Sequence, residues 1–165
     1  MSPRHPPLLY TRIGNQIAHR SLDLAPSRRR EQAAVTAIQT TALSENSARI
    51  LELLGQIPEN ASAAAIDNLD AEAKRQIFQF GLRLEVTGYM VSHGMVDLQI
   101  VNDLAGGVIL GFWSRAKNWS EERRKQTGEA EFLEWCEWLA MRIAQYRATR
   151  PYVPAYSRVR GGLKS

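Results

Sequence analysis

Residues 91–107, VSHGMVDLQIVNDLAGG, hold the densest group of potentially reactive side chains in this 165-residue chain. His93 and Asp97, with Asp103 nearby, could serve as metal ligands or as an acid–base pair. A metal site normally needs three or four ligands, and the other two histidines stand within the first twenty residues. His93 also has no nucleophile at a recognisable motif spacing. We therefore predict no catalytic residue, no metal site and no bound cofactor.

The same residues fit a tight corner between two helices. If His93 is the last residue of one helix, Gly94 takes the left-handed position that ends many helices. Asp97 is then the N-cap of the next helix, and Val96 and Val101 flank that cap as a hydrophobic staple. We therefore expect this stretch to have an architectural role.

A third interpretation is a helix-turn-helix that reads DNA, with its turn at residues 105–107. Its recognition helix would start at Val108 and offers no polar side chain for base edges before Ser114 and Arg115. The pattern therefore disfavours DNA recognition by this segment.

Three glycines in this region, Gly106, Gly107 and Gly111, each cost a helix about 1 kcal/mol relative to alanine. We expect that cost to be offset by a tight approach to Gly81 or Gly88 of the preceding helix. Leucine at Gly107 or Gly111 should then lower the melting temperature.

Glu85 lies between two apolar sectors of a predicted long helix, where its charge would be partly removed from water. A buried, unpaired carboxylate is costly, so Glu85 should have a partner. The candidate partners are the arginines of the following helical region, Arg115, Arg123 and Arg124. A carboxylate with a raised pKa could also serve an enzyme as an acid or base, although a structural ion pair is the favoured interpretation.

The elements that must position these side chains are helices. Apolar residues recur at three- and four-residue steps, and no segment alternates with the period of a strand. The first predicted helices run from Ser27 to Ile57, with a break near Ser44 or Ser47 left open, and within 61–66. A long helix follows from its N-cap Asp70 to near His93. The last two run from Asp97 to about Asn118, after which Ser120 can cap a further turn, and from Thr127 or Gly128 to Pro151. We therefore predict an all-α, single-domain bundle of about five helices.

The last predicted helix carries a regular apolar face and two large apolar residues outside it. Trp138 and Met141 should pack beneath the N-terminal helix or form a partner surface. Cys136, the only cysteine, is predicted to be a buried structural thiol, and a chain without disulfides fits a reducing cytoplasm. Trp113 and Trp119 are predicted to be core or groove residues.

Charge divides the chain into three parts. Residues 1–30 carry six arginines and one aspartate, residues 148–165 carry four basic residues and no acid, and residues 31–147 have a net charge of −5. We predict a helical domain over 31–147 between two flexible basic tails. The arginines with the best prospect of contacting phosphate backbones or an anionic surface weakly are Arg28, Arg29, Arg30, Arg158 and Arg160.

The helical region resembles a bacterial family of uncharacterised small helical domains, domain of unknown function 4760. The resemblance covers residues 35–147 and rests on IFQFGLRLEVTGYMVSHGMVDLQIVNDLAGGVILGFW, followed by EERR and EFLEWCEWLA. Glu85, Gly94 and Trp113 match the family's glutamate within a helix, its glycine corner and a tryptophan near the end of the next helix. The resemblance implies a helical fold and no particular activity.

These observations predict a non-enzymatic protein-interaction or regulatory domain of a bacterial cytoplasm. Its partner would be an unknown protein or a second copy of the chain. The alternative is a nucleic-acid-associated protein that binds through its basic tails, and an enzyme using Glu85 is the third hypothesis. No apolar run is long enough to cross a bilayer, so we expect no transmembrane segment.

Overall fold

The computed structural model describes residues 29, 31–33, 35, 36, 39, 47–150, 153 and 157. Between residues 47 and 150 it contains five helices: α1 (Ser47–Gly55), α2 (Ala64–Asp67), α3 (Ala71–Ser92), α4 (Leu98–Thr127) and α5 (Glu134–Thr149). The described residues between 29 and 39 are helical as well, and none of the described residues belongs to a strand. The fold is therefore all-α, as predicted. The predicted basic tails, 1–30 and 148–165, lie largely outside the described residues.

The core lies between the three long helices. α5 packs against both α3 and α4, and α1 lies against the same pair. Phe80 of α3 and Phe112 of α4 meet edge to face with 5.4 Å between ring centroids, and Ile143 of α5 is fully buried. Trp113 and Trp119 are core residues, and the Trp119 indole nitrogen donates to an Asp67 carboxylate oxygen at 3.0 Å.

The corner between α3 and α4 has the predicted caps. Gly94 has a φ of 67°, and the backbone N–H of Met95 donates to the Met90 carbonyl at 2.9 Å, which is the long hydrogen bond of a Schellman motif. The Asp97 carboxylate accepts from the backbone N–H of Gln99 at 2.6 Å. Asp70 caps the start of α3 in the same way, accepting from the Ala73 N–H at 2.8 Å. Local capping chemistry therefore sets both ends of α3.

The predicted break near Asn118 is wrong, because α4 continues to Thr127. Ser120 does not cap a helix there; it is fully buried, and its hydroxyl donates to the Phe132 carbonyl at 3.2 Å. Gly128, with a φ of 74°, ends α4 instead of starting the next helix. The last helix begins six residues later than predicted, at Glu134.

The glycines of α3 face the start of α5 and not the glycines of α4, which overturns the predicted glycine contact. A Cβ atom on Gly81 would lie 3.0 Å from the Leu133 side chain. A Cβ atom on Gly88 would overlap the backbone carbonyl group of Trp135. These two glycines therefore allow the backbone that enters α5 to lie directly on α3.

The glycines of α4 have different surroundings. A Cβ atom on Gly106 would lie 2.6 Å from the Arg147 guanidinium, whereas a Cβ atom on Gly107 would meet nothing within 4 Å. At Gly111 the nearest atom would be a guanidinium nitrogen of Arg115 at 3.6 Å. The predicted sensitivity of Gly107 and Gly111 to larger residues is therefore not supported by tight packing.

Candidate functional site

Glu85 binds the first turn of α5 from the neighbouring helix. One carboxylate oxygen accepts from the backbone N–H of Trp135 at 3.1 Å, and the other accepts from that of Cys136 at 2.8 Å. The residue before α5, Leu133, has a φ of 55°, and its side chain provides no cap. Because the first N–H groups of a helix have no partner inside it, Glu85 replaces the missing local cap. The predicted partner exists, but it is backbone and not an arginine.

The three candidate arginines have other partners. Arg124 forms an ion pair with Glu137 at 2.6 Å, and the Arg115 guanidinium donates to the Ile57 carbonyl at 2.9 Å. The Arg123 guanidinium lies 5.9 Å from the centre of the Phe132 ring. The predicted ion pair between Glu85 and an arginine is therefore not formed. The Arg124 charge still lowers the pKa of Glu85, and the N-terminus of α5 adds positive potential.

Burial raises the pKa of the Glu85 carboxyl above its ordinary value of 4.5, and the hydrogen bonds from Cys136 and Trp135 only partly offset that rise. The nearby Glu134 carboxylate raises the pKa further. Both oxygens of Glu85 already accept backbone hydrogen bonds, which is the arrangement expected of a structural cap.

His93 contributes to the corner and to the surface beside it. Its Nδ1 lies 2.9 Å from both the Tyr89 carbonyl oxygen and the Ser92 hydroxyl oxygen. Its imidazole ring stacks on the Tyr89 ring with 4.0 Å between centroids. Among the described residues, no three of the histidine, cysteine, aspartate and glutamate side chains lie close enough together to hold a metal ion.

Four rings from α3 and α5 form one connected aromatic surface, defined here as Tyr89, His93, Trp135 and Trp138. Trp135 lies 5.8 Å from Tyr89 and 5.9 Å from His93, measured between ring centroids. Trp138 lies 6.1 Å from Trp135 in an edge-to-face arrangement. The surface crosses from one helix to the other at the point where Glu85 and Gly88 hold the start of α5.

The aromatic surface is open to solvent, and exposed aliphatic residues adjoin it in the helical register. Tyr89 is 43% exposed, His93 is exposed, and both tryptophans are half-buried. Met141 follows Trp138 by three positions and is 53% exposed, while Val86 precedes Tyr89 by three and is 60% exposed. The sequence pattern predicted only Trp138 and Met141 as members of such a surface. The four-residue spacing of Tyr89 and His93 was the available signal for the α3 half.

Charged groups border the aromatic surface at both ends. Glu134, exposed at the start of α5, and Glu85 form no ion pair within the described part of the chain. At the other end the Arg142 guanidinium lies 5.9 Å from the centre of the Trp138 ring. The tryptophan faces are thus flanked by carboxylates on one side and already carry a guanidinium on the other.

Two surface grooves accompany these features. The first, about 370 Å³ in volume, lies along the C-terminal half of α5 and is lined by Leu98, Arg142, Gln145, Tyr146, Thr149 and Arg150. The second, about 250 Å³, separates α1 from α4 beside Gly107 and Gly111. These two glycines therefore form part of the groove wall.

Of the five arginines predicted to contact phosphate, the structure describes one. Arg29 is helical and exposed. The other four, Arg28, Arg30, Arg158 and Arg160, lie outside the described residues. Their contact with nucleic acid or an anionic surface stays a prediction. No helix in the described ranges is both long enough and apolar enough to cross a bilayer.

Comparison with known protein families identifies a related family. A family model described as Domain of unknown function (DUF4760) matches residues 16–143, which is most of the chain. The match includes Glu85, the corner at Gly94 and α5 as far as residue 143. No curated protein and no solved structure matches the chain.

Proposed function

This chain belongs to the DUF4760 family, and we propose that it is a protein-interaction domain whose aromatic surface binds an arginine-bearing segment of a partner protein. The observation that carries the proposal is the connected, solvent-open set of rings formed by Tyr89, His93, Trp135 and Trp138. Tryptophan and tyrosine provide a large share of binding energy in protein interfaces. A compact surface of four rings is therefore a suitable anchor point for a partner.

The choice of an arginine-bearing partner rests on charge and ring chemistry. The face of a tryptophan attracts a guanidinium group, with a contribution of about 0.5 to 2 kcal/mol that increases as water is excluded. Arg142 over Trp138 shows that this ring accepts such a contact within the protein itself. The carboxylates of Glu85 and Glu134 beside Trp135 would attract the same cation.

The hydrogen bonding of Glu85 favours a structural role for this residue over a role as an acid or base. An acid or base must exchange a proton with a substrate, whereas both Glu85 oxygens face backbone N–H groups of α5. Its raised pKa has a structural origin in burial. We therefore assign Glu85 to positioning α5 and its tryptophans.

A peptide titration of the full chain tests the proposal. The probe is an eight-residue peptide that alternates arginine and glycine, and the matched control peptide carries glutamate in place of arginine. We expect the arginine peptide to shift the indole N–H signals of Trp135 and Trp138 in NMR spectra, and to leave those of the buried Trp113 and Trp119 in place. Indole signals that respond to neither peptide would contradict the proposal.

Charge reversal at the surface provides the specificity test. Glu134→Lys should weaken binding of the arginine peptide by roughly tenfold, which corresponds to about 1.4 kcal/mol. Glu52→Lys, at an exposed position on α1, is the matched control and should leave the affinity unchanged. Equal weakening by both variants would indicate attraction to net charge alone. Shifts induced by duplex DNA, but not by the peptide, would favour the nucleic-acid hypothesis instead.

A further inference from the structure

We infer that the partner of the aromatic surface is a second copy of this chain, joined about a two-fold axis so that Arg142 of each copy reaches Glu134 of the other. The inference rests on the proposed function, because it names the partner and the arginine for the same surface. Its supports are the order of charges along α5, the equal spacing of those charges about Trp138, and the exposed apolar residues around them.

The α5 part of the surface has a carboxylate at one end and a guanidinium at the other. Glu134 is exposed in the first turn of the helix, and Arg142 is exposed about two turns later. Neither forms an ion pair with any residue that the structure describes. The Arg142 guanidinium donates to the Gln145 side chain at 3.1 Å and lies over Trp138. A complementary partner would present a cation to Glu134 and an anion to Arg142.

A second copy turned end to end has that order of charges. Glu134 and Arg142 each stand four residues from Trp138, or about 6 Å along the helix at 1.5 Å per residue. A two-fold axis through Trp138 and perpendicular to α5 makes the two α5 helices antiparallel, so positions equally distant from Trp138 face each other. Glu134 of each copy then faces Arg142 of the other, and both ion pairs form in a single contact.

Like charges stay apart in this arrangement. The Glu134 carboxylates of the two copies are separated by about 12 Å along the helices, and the same holds for the two Arg142 side chains. That separation exceeds the Debye length of about 8 Å at physiological ionic strength. The attraction between neighbouring opposite charges is therefore larger than the repulsion between like ones.

Apolar residues around these charges provide area to bury. Met141 is more than half exposed, and the two-fold contact places it opposite Trp135 of the second copy, where its sulfur packs favourably against the ring. Val86 on α3 is also more than half exposed. Because a two-fold contact uses the same surface on both copies, each residue in it is buried twice. The surface has fewer residues than the roughly 20 to 30 a side of a standard interface, so we expect a reversible dimer with an affinity in the micromolar range.

Sedimentation velocity of the full chain over a concentration series measures this association. The wild type should change from monomer to dimer as its concentration rises. In NMR spectra over the same range, the indole signals of Trp135 and Trp138 should shift, while those of the buried Trp113 and Trp119 stay in place. A chain that remains monomeric up to millimolar concentration would overturn the inference.

A charge exchange between two variants tests the two-fold pairing. Glu134→Arg and Arg142→Glu each bring like charges together at both contacts, so each variant alone should associate more weakly by roughly tenfold or more. An equimolar mixture of the two variants should associate again, because every contact between unlike copies joins opposite charges. Glu52→Arg, at an exposed position on α1, is the matched control and should associate like the wild type.

The mixture also controls for folding, because variants that recover association when mixed must both be folded. Thermal melting of each variant alone provides the same check independently. A mixture of folded variants that stays monomeric, or single variants that dimerise as well as the wild type, would contradict the two-fold pairing.

Peptide binding to a monomeric variant separates this inference from the proposed function. Arg142→Glu keeps Glu134 and both tryptophans of the surface, so it should bind the arginine–glycine peptide whether or not copies associate. Peptide binding by this variant, with a wild type that stays monomeric, would leave the proposed function standing and overturn the second copy as partner. Charge-dependent dimers without peptide binding would support the second copy and contradict binding of a short arginine segment.

Discussion

Two opposing effects act on the ionisation of the Glu85 carboxyl group. Partial removal from water disfavours its charged form, while hydrogen bonds from Trp135 and Cys136 favour that form. Burial dominates, so the pKa is raised in the folded protein. At the residue scale, the cap at the start of α5 is therefore sensitive to pH.

Replacing Glu85 with glutamine should reveal this sensitivity. Glutamine has one acceptor oxygen where the carboxylate has two, so the backbone N–H of Trp135 or Cys136 is left without an acceptor. The loss costs roughly 1 to 3 kcal/mol. Because the folded-state pKa of Glu85 lies above 4.5, its contribution to stability is complete below about pH 4.5 and declines as pH rises through the folded-state value. The stability difference between wild type and Glu85→Gln should therefore shrink from pH 4 to pH 7.

Denaturant unfolding at a series of pH values measures this difference. Glu52→Gln, at an exposed position on α1, is the control and should give a difference near zero at every pH. A stability difference between wild type and Glu85→Gln that grows with pH would contradict the direction derived for the pKa of Glu85.

At the element scale, α3 and α5 approach each other where α3 has no side chain. A Cβ atom at Gly88 would overlap the carbonyl group of Trp135, and neither backbone can move without displacing the Glu85 cap three residues away. Gly107 on α4 faces open space. Gly88 is therefore required for the close packing of α3 and α5, whereas no packing contact requires a glycine at position 107.

Alanine at these two glycines should change stability in opposite directions. Gly88→Ala is expected to lower the free energy of unfolding by about 1 to 3 kcal/mol because of overpacking. Gly107→Ala should raise it by about 1 kcal/mol because alanine favours a helix. Thermal and denaturant unfolding of both variants measure the two changes. A stabilised Gly88→Ala variant would show that α3 and α5 do not pack this closely.

The elements that sequence could predict are those with local signals. The Asp70 and Asp97 caps and the Gly94 corner depend on residues within five positions of one another, and all three were predicted correctly. Ser120 resembled a local cap, but burial against Phe132 decides its role. Gly128 has the left-handed conformation typical of a residue that ends a helix, but the acidic residues after it favoured an early start for the last helix.

The candidate surface was only half predictable for the same reason. Trp138 and Met141 stand outside the apolar face of their own helix, which the sequence reveals. The contribution of Tyr89 and His93 depends on how α3 crosses α5, and that crossing is set by Gly88 and Glu85. Glu85 accepts hydrogen bonds from backbone N–H groups fifty residues away. Nearly every residue has such a donor, so no residue type in a sequence pattern identifies this partner.

At the scale of the whole molecule, the single cysteine reports on cooperative unfolding. Cys136 is fully buried at the centre of the helix packing, and burial, reinforced by the carboxylates of Glu85 and Glu137, raises the pKa of its thiol. The reactive thiolate is therefore scarce in the folded protein.

Labelling of Cys136 by a thiol reagent should proceed only through global unfolding. The free energy obtained from its labelling rate in denaturant should equal that from circular dichroism. A cysteine at Lys125, which is exposed on α4, is the control and should react at the rate of a free thiol. Labelling of Cys136 much faster than global unfolding permits would indicate that the start of α5 opens separately.

Both ends of α5 are attached to other helices. Glu85 of α3 holds its first turn, and Arg147 near its last turn donates to the Asn102 side chain of α4 at 2.7 Å. The exposed face between them, which carries Trp138 and Met141, is therefore immobilised before any ligand arrives. A molecule that bound this face would lose its own conformational entropy but little of the protein's, which would favour the proposed binding of a short segment.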